Sequence, residues 1–152
     1  SEEASRHFLP EPRSGPSTVR QAIGDLPEPV FFAKNLDPST FPVHPNHWTM
    51  VPRSRRFGSG MVRSADARSF KRLSWDEPSP TIAFGNREIY VHPSGTRRLS
   101  IYEALLLQGF PPSFVLEGNL SQQVAQVSNA VPPPFALALA KAVKAALRRV
   151  VR

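Results

Sequence analysis

The 152-residue chain carries a formal charge of +7, 17 prolines and no cysteine. That length bounds one moderate core, or a piece of something larger. The missing thiol excludes disulfides, thiolate zinc sites and a cysteine nucleophile within this chain. No uninterrupted apolar run approaches the ~20 residues of a membrane span, and no signal-peptide pattern opens the sequence, so the expectation is a soluble cytoplasmic protein with no membrane partner. Charge is unevenly placed: residues 53–72 hold seven Arg or Lys against one Asp, while 1–52 are net −2 and 73–152 net +3. A concentrated basic block points to a polyanion, most often nucleic acid, with a solvated mobile loop as the alternative.

Residues 1–52 read as a proline-rich extended segment holding nine of the prolines. Each proline fixes φ, removes a donor and biases the preceding residue to extended conformations. A short helix is expected near 18–26, from a Ser17 or Thr18 cap, apolar Val19, Ala22, Ile23 and Leu26, then Gly24 and Pro27. His44 and His47 have a spacing that suits a metal, yet no third ligand lies nearby. Polar loop packing with Trp48 as anchor is the favoured reading, and no metal site is assigned.

Residues 53–95 form the next region. From Arg53 to Pro80 arginines mix with small residues and isolated aromatics, without helical or strand period. Arg53, Arg55 and Arg56 suit phosphate tracking, and Lys71 or Arg72 suits a guanine edge. Thr81–Phe84 and Glu88–Val91 then read as two strands of a hairpin turning at Gly85-Asn86, since both turn residues tolerate positive φ.

The third region, 96–152, opens with TRRLSIYEALLLQGFP. Ser100 followed by Glu103 is a capping box, Ala104–Leu107 make a helix too apolar to stand in water, and Gly109 with Pro111 stops it. Ser121 is the expected cap of a further short helix through Val127. After Pro132–Pro134, Phe135, Leu139, Val143 and Leu147 recur at helical spacing, with Lys141, Lys144 and Arg148 expected on the opposite face.

The string from Arg97 to Pro111 resembles motif IX of the DNA cytosine-5 methyltransferases, Arg-x-Leu-Thr-x-Arg-Glu-x-x-Arg-Leu-Gln-Gly-Phe-Pro. Arg97, Leu99, Ser100 (for Thr), Glu103, Leu107, Gln108, Gly109, Phe110 and Pro111 match. Tyr102 and Leu106 stand where that family usually has arginine, which removes two charges from the helix. QVSNAV at 126–131 resembles motif X, with Ser128 in place of glycine; if that position needs positive φ, serine is strained there. The segment from Thr18 to Pro27 is similar to the TVRDAIGDLP run that follows motif VIII in many bacterial members.

The resemblance implies an α+β chain. It comprises a small irregular β-rich target recognition domain with a hairpin, then helices that normally complete an S-adenosylmethionine-dependent α/β domain. It implies double-stranded DNA as partner, with contacts from Arg53, Arg55, Arg56, Lys71, Arg72, Thr81, Ile82, Phe84, Gly85, Asn86 and Arg87. It implies S-adenosylmethionine near Asn129 and Ala130, and a structural role for Arg97, Glu103, Gln108, Gly109, Phe110 and Pro111. It covers only the C-terminal part of the enzyme. The family's thiolate that attacks C6 of cytosine, and the glycine-rich cofactor turn, belong to motifs I–VIII and are absent. No catalytic residue is therefore expected in this chain, which is expected to be inactive alone and to need an N-terminal portion or subunit carrying those motifs. A split subunit, an excised fragment (Ser1 in place of Met fits processing) and a non-enzymatic DNA-binding module all fit the sequence; an RNA substrate is a variant of the last.

Overall fold

The computed structural model describes residues 17–52, 57, 70–82, 84 and 90–150, the side chains of 149 and 150 excepted. Arg53, Arg55, Arg56, Gly85, Asn86 and Arg87, all expected at DNA, lie outside the described residues. Mixed helices and two small two-stranded sheets make it an α+β chain. Residues 17–130 form one compact unit, and the chain from Val131 onward belongs to a second.

In the first unit, helix α1 (Val19–Ile23) begins at Thr18, whose hydroxyl accepts from Gln21 N–H while the Gln21 side chain accepts from Thr18 N–H. The next two amides of the first turn are satisfied from far along the chain: Val19 N–H donates to Glu77 O at 3.0 Å and Arg20 N–H to Trp75 O at 2.9 Å. Helix starts leave four such donors orphaned, so this docking fixes the 75–77 segment as well as the helix. Strands β1 (Val30–Phe31) and β2 (Trp48–Thr49) pair in parallel. Strands β3 (Lys71–Arg72) and β4 (Tyr90–Val91) do the same in a second sheet, extended by Leu73 N–H to Val91 O at 3.1 Å.

This second sheet corrects the expected hairpin. The strand at 90–91 exists, but its partner is Lys71–Arg72 and runs parallel. Thr81, Ile82 and Phe84 are irregular, and Ala83 with 85–89 lie outside the described residues. Pro78 and Pro80 withdraw two donors just ahead of Thr81, while Leu73 already takes the Val91 carbonyl. The stretch 53–80, expected to lack strands, thus holds β3.

Helix α2 (Ile101–Leu107) is the expected motif IX helix, with the Ser100–Glu103 capping box formed in both directions. Ile101 to Leu105 are all buried, and Leu99, Ile101, Ala104 and Leu105 join Val19, Ile23, Trp48 and Leu73 in one core. Gly109 closes the helix at φ 78°, the left-handed conformation expected of it. Helix α3 (Leu120–Asn129) is capped not by Ser121 but by Asn119, which accepts from Gln122 N–H. Ser128 lies inside that helix, so the strain expected at a positive-φ serine does not arise.

Among the described residues the second unit holds helix α4 (Pro133–Val150). Phe135, Leu137, Leu139, Val143 and Leu147 are exposed on it, and Lys144 and Arg148 flank the groove of Leu139, Val143 and Leu147. The span Leu120–Arg148 has the length and composition to cross a membrane, at mean hydropathy 1.3. Residues 130–132 interrupt it, and the basic residues along one side of α4 give it the pattern of an amphipathic helix.

Candidate functional site

The N-terminus of α2 is where charge, burial and connectivity converge. Arg97 donates from Nη1 and Nη2 to the two carboxylate oxygens of Glu103, both at 2.9 Å, and from Nε to Glu28 Oε2 at 2.7 Å. Glu103 also accepts from Ser100 N–H at 2.7 Å, so one carboxylate closes the cap and grips the guanidinium. Arg97 and Glu103 are buried. Burial alone would pull the Arg97 pKa down, but the hydrogen bonds and charges of Glu103 and Glu28 outweigh it and hold the guanidinium above its ordinary value. Fork geometry on a desolvated carboxylate is where arginine differs most from lysine.

A second set of contacts ties residues 46–49 to the same helix end. Tyr102 N–H donates to Asn46 O at 2.9 Å, and Thr49 Oγ1 donates to Leu99 O at 2.9 Å. Ser100 Oγ accepts from Glu103 N–H and lies 3.0 Å from His47 Nδ1, while His47 Nε2 lies 2.8 Å from Pro27 O. A carbonyl only accepts, so the His47 hydrogen sits on Nε2 and Nδ1 accepts from the Ser100 hydroxyl. His44 and His47 are both buried here, and among the described residues no group of three or more His, Asp or Glu stands together. Tyr102, where the family pattern has arginine, stacks on His44 at 4.0 Å and meets His47 edge-on. Aromatic packing takes the place of the charge. Trp48 anchors the far side, donating from Nε1 to Gln123 Oε1 at 2.8 Å in the core.

From this base the chain presents two cations. His92 N–H donates to Arg97 O, and β4, immediately before it, carries β3. Lys71 and Arg72 on β3 are exposed. His92 is buried against Trp75, with Nδ1 hydrogen-bonded to Ser94 and Nε2 3.9 Å from Glu103. Burial lowers its pKa more than Glu103 raises it, with Arg97 pushing the same way as burial. Thr81 is exposed and Ile82 packs partly into the core. Phe84, expected near the bases, is 7% exposed and belongs to the core. Of the remaining motif IX residues, Gln108 donates to Val127 O at 3.3 Å, joining α2 to α3, and Phe110 packs at a tilt against Phe114 beyond Pro111. Asn129 ends α3, exposed, and Ala130 follows half-buried. Glu28, Asn46 and Thr49 escaped the sequence reading, because nothing local marks a carboxylate or amide whose partner lies some fifty residues away or more.

The pattern of the C-5 cytosine-specific DNA methylase family matches residues 19–145. The chain belongs to that family. Type II methyltransferase M.MthTI of Methanothermobacter thermautotrophicus is 34% identical over 90% of this chain and 46% of its own length. The DNA (cytosine-5)-methyltransferases CMT3 of Arabidopsis thaliana and CMT1 of Oryza sativa subsp. japonica are each 40% identical, over 66% and 60% of this chain but only 12% and 9% of their own. The chain thus spans less than half the length of these relatives.

Proposed function

We propose that this chain is the target-recognition and closing portion of a DNA cytosine-5 methyltransferase, whose complete form flips a cytosine from the duplex and moves a methyl group from S-adenosylmethionine to C5. The observation that carries this reading is the mounting of β3. Lys71 and Arg72 face solvent from a strand whose partner, β4, runs straight into His92 and the buried Arg97–Glu103 clamp. Cations on a rigid base are placed to engage phosphates or a guanine edge without ordering a new segment. Thr81, exposed beyond β3, joins that contact, and the family resemblance assigns Arg53, Arg55, Arg56 and Gly85–Arg87 to the same DNA partner.

The nucleophile comes from a separate portion carrying motifs I–VIII, since this chain has no cysteine. S-adenosylmethionine, when bound, supplies the methyl group. Asn129 and Ala130, at the C-terminal end of α3, are this chain's contribution beside it. Partly exposed backbone and a side-chain amide there suit the polar end of such a ligand. The bacterial and archaeal type of system points to a cytoplasmic enzyme, with restriction–modification as its setting.

The test mixes this chain with the portion carrying motifs I–VIII, labelled cofactor and a cytosine-containing duplex. Methyl transfer is expected only with both polypeptides present. Arg72→Ala is expected to weaken DNA binding, and to relax sequence preference if Arg72 reads a base. Transfer by this chain alone, or no duplex binding by the mixture at low salt, overturns the proposal.

A further inference from the structure

The turn Phe41–Pro45 carries two unrelieved costs on adjacent residues. Val43 has φ 72° and is 62% exposed, and a β-branched side chain in the left-handed region is an outlier that its surroundings must enforce. His44 follows, 6% exposed and stacked on Tyr102. Its Nδ1 accepts Asn46 N–H at 3.1 Å, and burial, with His47 beside it, holds its pKa below the ordinary value. The ring is therefore neutral, with its one hydrogen on Nε2. That Nε2 is buried and has no partner among the described residues, although most buried polar groups find one. His47, three residues on, has both nitrogens satisfied. The fold is thus able to house a histidine here without leaving a donor idle.

Beside the turn opens a cleft of about 530 Å³, walled by Ser39, Val43, His44, Asn46, Leu116 and Glu117 among others. Asn46 is locked there by two hydrogen bonds to the Leu116 backbone, at 2.9 and 2.8 Å. The rim is apolar, since Val43 and Val115 are exposed. Among the described residues no lysine or arginine lines the cleft and Glu117 does, which argues against a phosphate or nucleic acid.

We propose that this corner is the docking point for a polypeptide segment of the motif I–VIII portion, which brings an acceptor oxygen, a main-chain carbonyl or a carboxylate, to His44 Nε2–H and covers Val43 and Val115. The inference rests on the reading above, that such a portion exists. Nε2 is closed off in the free chain, so the turn must move for the acceptor to reach it. Val43, in a disfavoured conformation, is the residue with something to gain by moving. Docking there satisfies a buried donor and releases a positive φ together.

The test measures assembly of this chain with the motif I–VIII portion, using backbone amide exchange and a dissociation constant. On assembly, amides of residues 39–46 and 115–117 are expected to exchange more slowly. His44→Phe keeps a ring on Tyr102 but removes both the Nε2–H donor and the Nδ1 acceptor of Asn46 N–H, so it is read against the free variant's melting temperature; it is expected to weaken assembly about tenfold, the scale of one lost hydrogen bond. Val43→Gly, which relieves the strain beforehand, serves as a second variant: it raises the melting temperature of the free chain and weakens assembly several-fold. A complex that methylates normally, with exchange unchanged over 39–46 and both variants assembling like the parent, overturns this proposal alone. Absence of any complex overturns the reading beneath it as well.

Discussion

Helices α2 and α4 are both apolar, yet they solve opposite problems. At seven residues, α2 is too short to persist by itself in water. It survives because other segments close it: Ser100 and Glu103 cap it, Asn46 takes its Tyr102 amide, and five consecutive residues are buried. With eighteen residues α4 satisfies its own backbone, but Phe135, Leu139, Val143 and Leu147 stay exposed. Burial in α2 is completed by this chain, whereas burial in α4 calls for a partner surface. Apolar composition alone does not separate the two; the long-range hydrogen bonds around α2 do.

The sharpest way to break that contrast is at Glu103. Glu103→Ala strips the Ser100 amide of its acceptor and leaves the Arg97 guanidinium buried with only the largely exposed Glu28 to offset it. Removing one member of a buried pair typically costs about 3–5 kcal/mol. Urea denaturation is expected to show loss of most or all of the stability of residues 17–130. A variant within about 0.5 kcal/mol of the parent, the usual range for surface changes, shows that the clamp is not what holds α2.

The next largest effect is a paired truncation. Leu105 is fully buried in the α2 core, and Leu105→Ala is expected to cost about 2–5 kcal/mol as a core cavity. Leu147 is 60% exposed on α4, and Leu147→Ala is expected to stay within about 0.5 kcal/mol. In the assembly with the motif I–VIII portion the order of interest reverses. There Leu147→Ala is expected to weaken the dissociation constant, measured by titration calorimetry, while leaving the melt of the free chain alone. Equal stability losses at the two sites in the free chain mean that α4 is already packed as α2 is.

What the sequence disclosed follows the range of the interactions involved. The capping box at Ser100, the Ser-or-Thr cap that Thr18 supplies, the left-handed Gly109 and the periodic run of α4 are local signals, and each appears where expected. Asn119 was equally legible, because asparagine caps as well as serine does and Asn119 and Gln122 have the capping-box spacing. The β3–β4 pairing was not legible. Two-residue strands carry no periodicity, and an alternating stretch from Thr81 to Val91 offered a nearer partner than Lys71–Arg72. Phe84 was misplaced for the same reason, since a hairpin tip would have exposed it and the actual path sends it into the core. Losing the hairpin does not cost the family assignment, which rests on the match over residues 19–145.

The smallest effect carries the cleanest sign. Family resemblance puts glycine where this chain has Ser128, and two geometries give opposite forecasts for Ser128→Gly. If the position needed positive φ, glycine would relieve strain and raise stability. In the structure Ser128 is helical, exposed and one residue from the end of α3. Glycine there only adds backbone freedom to the unfolded chain, at a cost of about 0.5 kcal/mol or less given its place in the last turn. Thermal denaturation is therefore expected to show a slight drop in melting temperature. A rise instead would mean that α3 ends before Ser128 and that the chain turns toward Asn129 as the glycine-bearing relatives' pattern implies. That outcome would move the proposed cofactor-side residues off a helix end and onto a tight turn, changing which backbone groups Asn129 and Ala130 present.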